Sequence, residues 1–282
     1  MLNFVQNANR WHAITVLHRR ERRGLLYGIG LYVTVFIALM ASVLFLRNQF
    51  SFTADNGLAV MSRPLILPFF FSMMLAATYL ALVAATSIAR EREQGTLEVL
   101  FYGPIDYTAY VVGKFMTPLL ACLAVVLLDL VWAWAFARLS NFSFSLDLIP
   151  VAALAALCGA TLVAFSILVS ALTRSARAAI IVLLLVIIVL AAIQFGYDAL
   201  ATLAPPAEPN RVNPLIFLRD ALGWLNQIIS WLSPYAYLND GIDALVSQDV
   251  SGYLRTVGLS LLALLAYLAA AVRMMERRGV RG

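Results

Sequence analysis

The chain has 282 residues, 62% of them hydrophobic and 12% charged. Soluble domains run at about 45–50% apolar and about 25% charged, so this balance excludes a soluble enzyme and belongs to a chain that sits in lipid. Lys and Arg outnumber Asp and Glu by 20 to 15, an excess that in a membrane protein reports orientation rather than a nucleic-acid partner.

In chain order, residues 1–24 are predicted to form an amphipathic basic helix, with Phe4, Ala8, Trp11 and Thr15 on one stripe and HRRERR at 18–23. Such a helix lies at the interface, held by anionic headgroups at about 1 kcal/mol per basic residue. Apolar stretches long enough to span follow at about 25–46, 65–89, 115–137, 149–172, 178–196 and 254–272. The first is too long for a cleaved signal and is expected to stay in the membrane. Fourteen of the 20 Lys and Arg residues fall on the side of the two termini and six on the other, which places both termini in the cytoplasm. That parity needs an even number of spans. Residues 215–232 are the one further stretch of spanning length, but Arg219, Asp220, Asn226 and Gln227 interrupt it. A central Arg or Asp costs about 2.5–3.5 kcal/mol on insertion, so the stretch is predicted to lie in or dip into the outer interface. Together with a second short helix broken at Pro234, it forms an outer lid over about 197–253. Alanine recurs every fourth residue at Ala77, Ala81, Ala85 and Ala89 and again at Ala152, Ala156, Ala160 and Ala164. Small faces of this kind let helix backbones approach closely, within one subunit or between two.

The residues offer little chemistry of their own. Cys122 and Cys158 both fall inside apolar runs, and His12 and His18 have no serine, acidic pair or ligand spacing beside them. There is no GxxxxGK[ST] loop: the Gly113–Lys114 pair is followed by Phe115. The informative segment is the loop after the second span, residues 90–104, where charge appears at once in Arg90, Glu91, Arg92 and Glu93. Gly95 is a natural helix stop, because glycine enters the left-handed conformation without steric cost. Thr96 is then expected to cap a new short helix, with Glu98 in its first turn and Leu97, Leu100 and Phe101 on one apolar face. Pro104 ends it. The run Glu91-Arg92-Glu93-Gln94-Gly95-Thr96-Leu97-Glu98, followed by Pro104 and by Gly113-Lys114, resembles the membrane subunit of type-two ATP-binding cassette exporters. The resemblance covers the layout of the whole chain and is specific over this segment. It implies that residues 25–282 form a six-span permease domain that pairs with a second permease protomer, identical or related. A separate cytoplasmic ATPase subunit would bind ATP and magnesium, and this chain would bind no cofactor. The coupling helix of that family maps to about Thr96–Tyr102, so Arg90, Glu91, Arg92, Glu93, Gly95, Thr96, Leu97, Glu98, Leu100, Phe101 and Pro104 become candidates for ATPase coupling.

Asp129 is the one ionisable residue deep in a span, and an intramembrane carboxylate is by default a functional hypothesis. A structural hydrogen bond, a place on the substrate path and proton coupling all remain open for it. The fold class expected is an all-α, six-span protein of an inner or plasma membrane. Its termini are cytoplasmic, a coupling helix joins spans two and three, and interfacial helices precede span six. The rivals to an exporter permease are an ion-coupled carrier or channel using Asp129 and a membrane subunit that only anchors a complex. An apolar bundle with few fixed charges suits a lipid-like or amphipathic cargo slightly better than a small ion.

Overall fold

A computed structural model describes residues 15–16, 18–55, 65–101, 106–140, 146–201, 214–229, 231 and 233–278. Among these every regular element is a helix. A helical N-terminal segment, residues 18–27, leads into α1 (Ile29–Asp55). Then come α2 (Ile66–Glu93), α3 (Thr96–Phe101), α4 (Tyr107–Leu139), α5 (Leu148–Leu172), α6 (Ala176–Ala201), α7 (Pro214–Ile229), α8 (Pro234–Val246) and α9 (Val250–Arg278). Six of them, α1, α2, α4, α5, α6 and α9, are long and apolar enough to cross a membrane. These match the six predicted spans. The stripe residues Phe4, Ala8 and Trp11 lie outside the described residues, as do Pro104, Tyr102 and the linker preceding α7.

The bundle is organised around α5, which is flanked by α2, α4, α6, α8 and α9. Its composition explains its position. Ala152, Ala160 and Ala164 are buried together with Gly159, leaving a surface flat enough for neighbouring backbones to come close. At Gly159 a Cβ would stand 2.6 Å from Cys122 Sγ of α4, so any larger residue would have to displace that buried thiol. The second alanine stripe, Ala77, Ala81, Ala85 and Ala89, is fully used inside this one chain: it packs against Leu162 and Val169 of α5 and Ala179 and Leu183 of α6. Hydroxyls stitch the spans where apolar burial gives no driving force in lipid. Ser42 of α1 donates to the Pro68 carbonyl of α2 at 2.8 Å, and Thr161 of α5 lies 3.1 Å from Ser260 of α9.

The described parts of the predicted lid are largely helical. The α7 helix rests on α6, and α8 lies against α5 and α9. Pro234 opens α8 at a position that needs no backbone donor, behind Ser233, whose hydroxyl accepts from Ala236 N. Tyr235 of α8 sits 2.9 Å from Thr78 Oγ1 and fastens this region to α2. At the other end of α2 the chain turns sharply at Gly95, and that turn is the site.

Candidate functional site

The site grows from the last turn of α2. Successive residues on an α-helix point about 100° apart, so three charged residues in a row face three directions. Glu91 turns towards α4, where Tyr110 Oη donates to its Oε2 at 2.6 Å and Lys114 Nζ donates to its Oε1 at 2.8 Å. Lys114 also donates to Glu21 of the N-terminal segment at 2.6 Å, and Arg20 stands 3.6 Å from Glu91. The Lys114 and Glu91 side chains are 2% and 6% exposed, while Glu21 and Arg20 are 27% and 61% exposed, so the cluster has a buried ion pair at its centre and partly solvated charges at its rim. Arg92 points to the end of α5. Its Nη1 donates to the carbonyls of Ala171 and Thr173 at 3.1 and 2.7 Å, groups that a helix C-terminus leaves without internal partners. Its Nη2 reaches Met275 Sδ of α9 at 3.6 Å. Glu93 accepts from the backbone N–H of Ala176 at 3.1 Å, a carboxylate at the positive end of α6. Glu91, Arg92 and Glu93 therefore bind the end of α2 to the N-terminal segment and to four other helices. Just before them Ser170 Oγ of α5 accepts from the backbone N–H groups of Ile88 and Ala89, so a side chain enters the hydrogen bonding of α2 itself.

Gly95 adopts φ +69°, the left-handed stop expected of it. Thr96 departs from its expected role. Its hydroxyl donates to the Glu91 carbonyl at 3.1 Å, finishing α2 instead of capping the helix that Thr96 opens. Leu97 is 1% exposed, and Leu100 and Phe101 pack on the same core, with the Phe101 ring 4.6 Å from Tyr107 and 5.4 Å from Tyr110. The outer side of the elbow keeps Arg90, Gln94, Thr96 and Glu98 exposed, together with Glu93, which is exposed while holding Ala176. The elbow is thus two-faced, with a polar side open to a partner and, behind it, charges committed to the bundle. Pro104 falls outside the described residues.

Of the residues singled out in the sequence, the structure gathers Glu91 to Phe101 at one end of the bundle and leaves Asp129 apart, about 22 Å along α4 from Lys114. Asp129 is 1% exposed, with Ser72 of α2 beside it, and neither its carboxylate oxygens nor the Ser72 hydroxyl have a hydrogen-bond partner among the described residues. Sequence reasoning missed Glu21, Tyr110, Ser170 and the structural weight of Lys114. The one available signal was the placement of Lys114, a cation at the start of an apolar run, which needs a partner wherever it goes.

A family model described as ABC-2 family transporter protein matches residues 18–280, nearly the whole chain. No curated protein matches it.

Proposed function

The chain belongs to the ABC-2 family of transporter membrane proteins, and from that premise we propose that it is the permease subunit of an exporter driven by a separate cytoplasmic ATPase. Family and spans make it a multi-pass membrane protein, a transport permease and not itself an ATPase. In this reading ATP and magnesium sit on the partner, two permease protomers pair, and the elbow and both termini face the cytoplasm, as the positive-inside count expects. The observation that carries the reading is the pair of faces on the elbow. Closure of the ATPase pushes on the exposed face at Thr96 and Glu98. The Glu91, Arg92 and Glu93 contacts pass that push to α4, α5, α6, α9 and the N-terminal segment as one rigid element. The spans then shift between two packed arrangements and move substrate outward, with Asp129 on the path they open.

The test separates docking from transmission. Glu98→Arg changes only the exposed face and is expected to lose an ATPase that copurifies with the wild-type chain from mild detergent. Arg92→Ala is expected to keep the ATPase while losing the permease's effect on its rate of ATP hydrolysis. Purification of the wild-type chain without any ATPase across several mild detergents would sink the proposal.

A further inference from the structure

The N-terminal segment, α2 and α4 do not close completely against one another at the elbow end. Between them lies a cavity of about 400 Å³. One wall is apolar, formed by Leu25, Tyr79, Val83 and Ala84, and the mouth carries Arg20, Arg90 and Gln94. The third cation on its surface, Lys114, is held by Glu21 and Glu91, whose carboxylates also line the cavity, so three cations face two anions there. The two arginines are in a different state. Arg20 is 61% exposed and makes only a 3.6 Å approach to Glu91, which Lys114 and Tyr110 already serve. Arg90 is exposed and has no carboxylate partner among the described residues. Arg19, Arg22 and Arg23 on the same helical segment add to the positive field.

The occupant must therefore be amphipathic and anionic. A small soluble anion would satisfy the guanidinium groups and leave the Leu25–Tyr79–Val83 wall wet. A purely apolar molecule would cover that wall and strip water from the arginines without replacing it. The cavity also sits where α2 passes from its apolar run to its charged end, the depth at which headgroups lie. We propose that this cavity is a binding site for one anionic phospholipid. Its phosphate is held by Arg20 and Arg90 through charge-assisted hydrogen bonds, and its glycerol and upper acyl chain lie along Leu25, Tyr79 and Val83. The lipid bridges the N-terminal segment and the end of α2, the two parts that Lys114 joins from beneath. The inference rests on residence in the membrane and not on ATPase coupling, and its test reads neither ATP nor transport.

The experiment is native mass spectrometry of the full chain in mild detergent with added phosphatidylglycerol or phosphatidylcholine, with thermal melting alongside. The wild-type chain is expected to retain one phosphatidylglycerol and to melt higher with it, and to do neither with phosphatidylcholine. R20Q/R90Q is expected to weaken retention roughly 25-fold, at about five-fold for each arginine charge, while R20K/R90K keeps most of it. R273Q/R277Q removes as much charge from residues that do not line the cavity and is expected to bind like wild type. Equal retention of the two lipids, an unaffected R20Q/R90Q, or an equal loss in R273Q/R277Q overturns the site. Inorganic phosphate that stabilises the chain as well as phosphatidylglycerol does would make it a site for a free anion and overturn the lipid assignment.

Discussion

Glu91 and Asp129 are carboxylates in apolar helices, 5% and 1% exposed, and the fold treats them in opposite ways. Both Glu91 oxygens are taken, by Tyr110 and Lys114, and Lys114 carries a second carboxylate on its far side. Asp129 has Ser72 beside it and no hydrogen-bond partner among the described residues. The difference separates two uses of a buried charge. A matched cluster fixes one arrangement of the helices it joins, because no other arrangement keeps every charge paired in a medium that cannot hydrate them. An unmatched intramembrane carboxylate is by default a functional hypothesis. The elbow end is held by paired charges, and the interior of α4 carries a carboxylate without such pairing among the described residues.

The largest effect should come from breaking the matched end. Lys114→Met keeps the length of the side chain and leaves Glu21 and Glu91 facing each other without their shared cation. Removing one partner of a buried pair costs about 3–5 kcal/mol, so a large fall in melting temperature in mild detergent is expected. K114M/E91Q should regain part of it, since the introduced amide still offers Tyr110 an acceptor and only Glu21, which is 27% exposed, is left without its lysine. A loss below about 1 kcal/mol in K114M would mean that the cluster is solvated and the contrast with Asp129 is false. At the unmatched site the sign reverses. Asp129→Asn keeps the shape and removes the charge, and is expected to raise stability by about 1 kcal/mol while lowering transport. If D129N destabilises the chain instead, Asp129 has a partner that appears only in the assembled transporter.

Much of this architecture was legible in the residues. The six spans follow from runs of apolar sequence, and Gly95 announced the stop at the end of α2 because a left-handed residue there favours glycine. The alternation of small residues in α2 foretold close packing, and the structure shows it satisfied within the chain by α5 and α6. The interior of the site was not legible. Local sequence places Glu91, Arg92 and Glu93 on one turn, but their partners come from Tyr110, Lys114, Thr173, Ala176 and Met275, which are distant in the chain. Nothing in a single helix's periodicity says which of three consecutive charges meets which neighbour. The same blindness produced the error at Thr96: a hydroxyl before a short helix suggests an N-cap, and only the fold shows that the Glu91 carbonyl is the nearer need.

The smallest effect tests how the N-terminal segment is held to the matched end. His18 Nδ1 lies 2.9 Å from Thr117 Oγ1 of α4, one turn beyond Lys114. Burial, and after it the Arg22 charge, hold the imidazole below its usual value, so the docked segment favours neutral His18. A base with a depressed value binds fewer protons when docked than when free. Docking is therefore at full strength above the free imidazole value of about 6.5 and weakens as pH falls below it, until the docked imidazole is protonated as well. Spin-label distances between residues 18–27 and α4 should broaden over that window and stay constant above it. Lys114 still holds the segment through Glu21, so the change stays small. His18→Gln keeps a hydrogen-bonding side chain without the titration and should flatten the profile. If the profile persists in that variant, the pH dependence belongs to the cluster, and the segment is held by Lys114 and Glu21 alone.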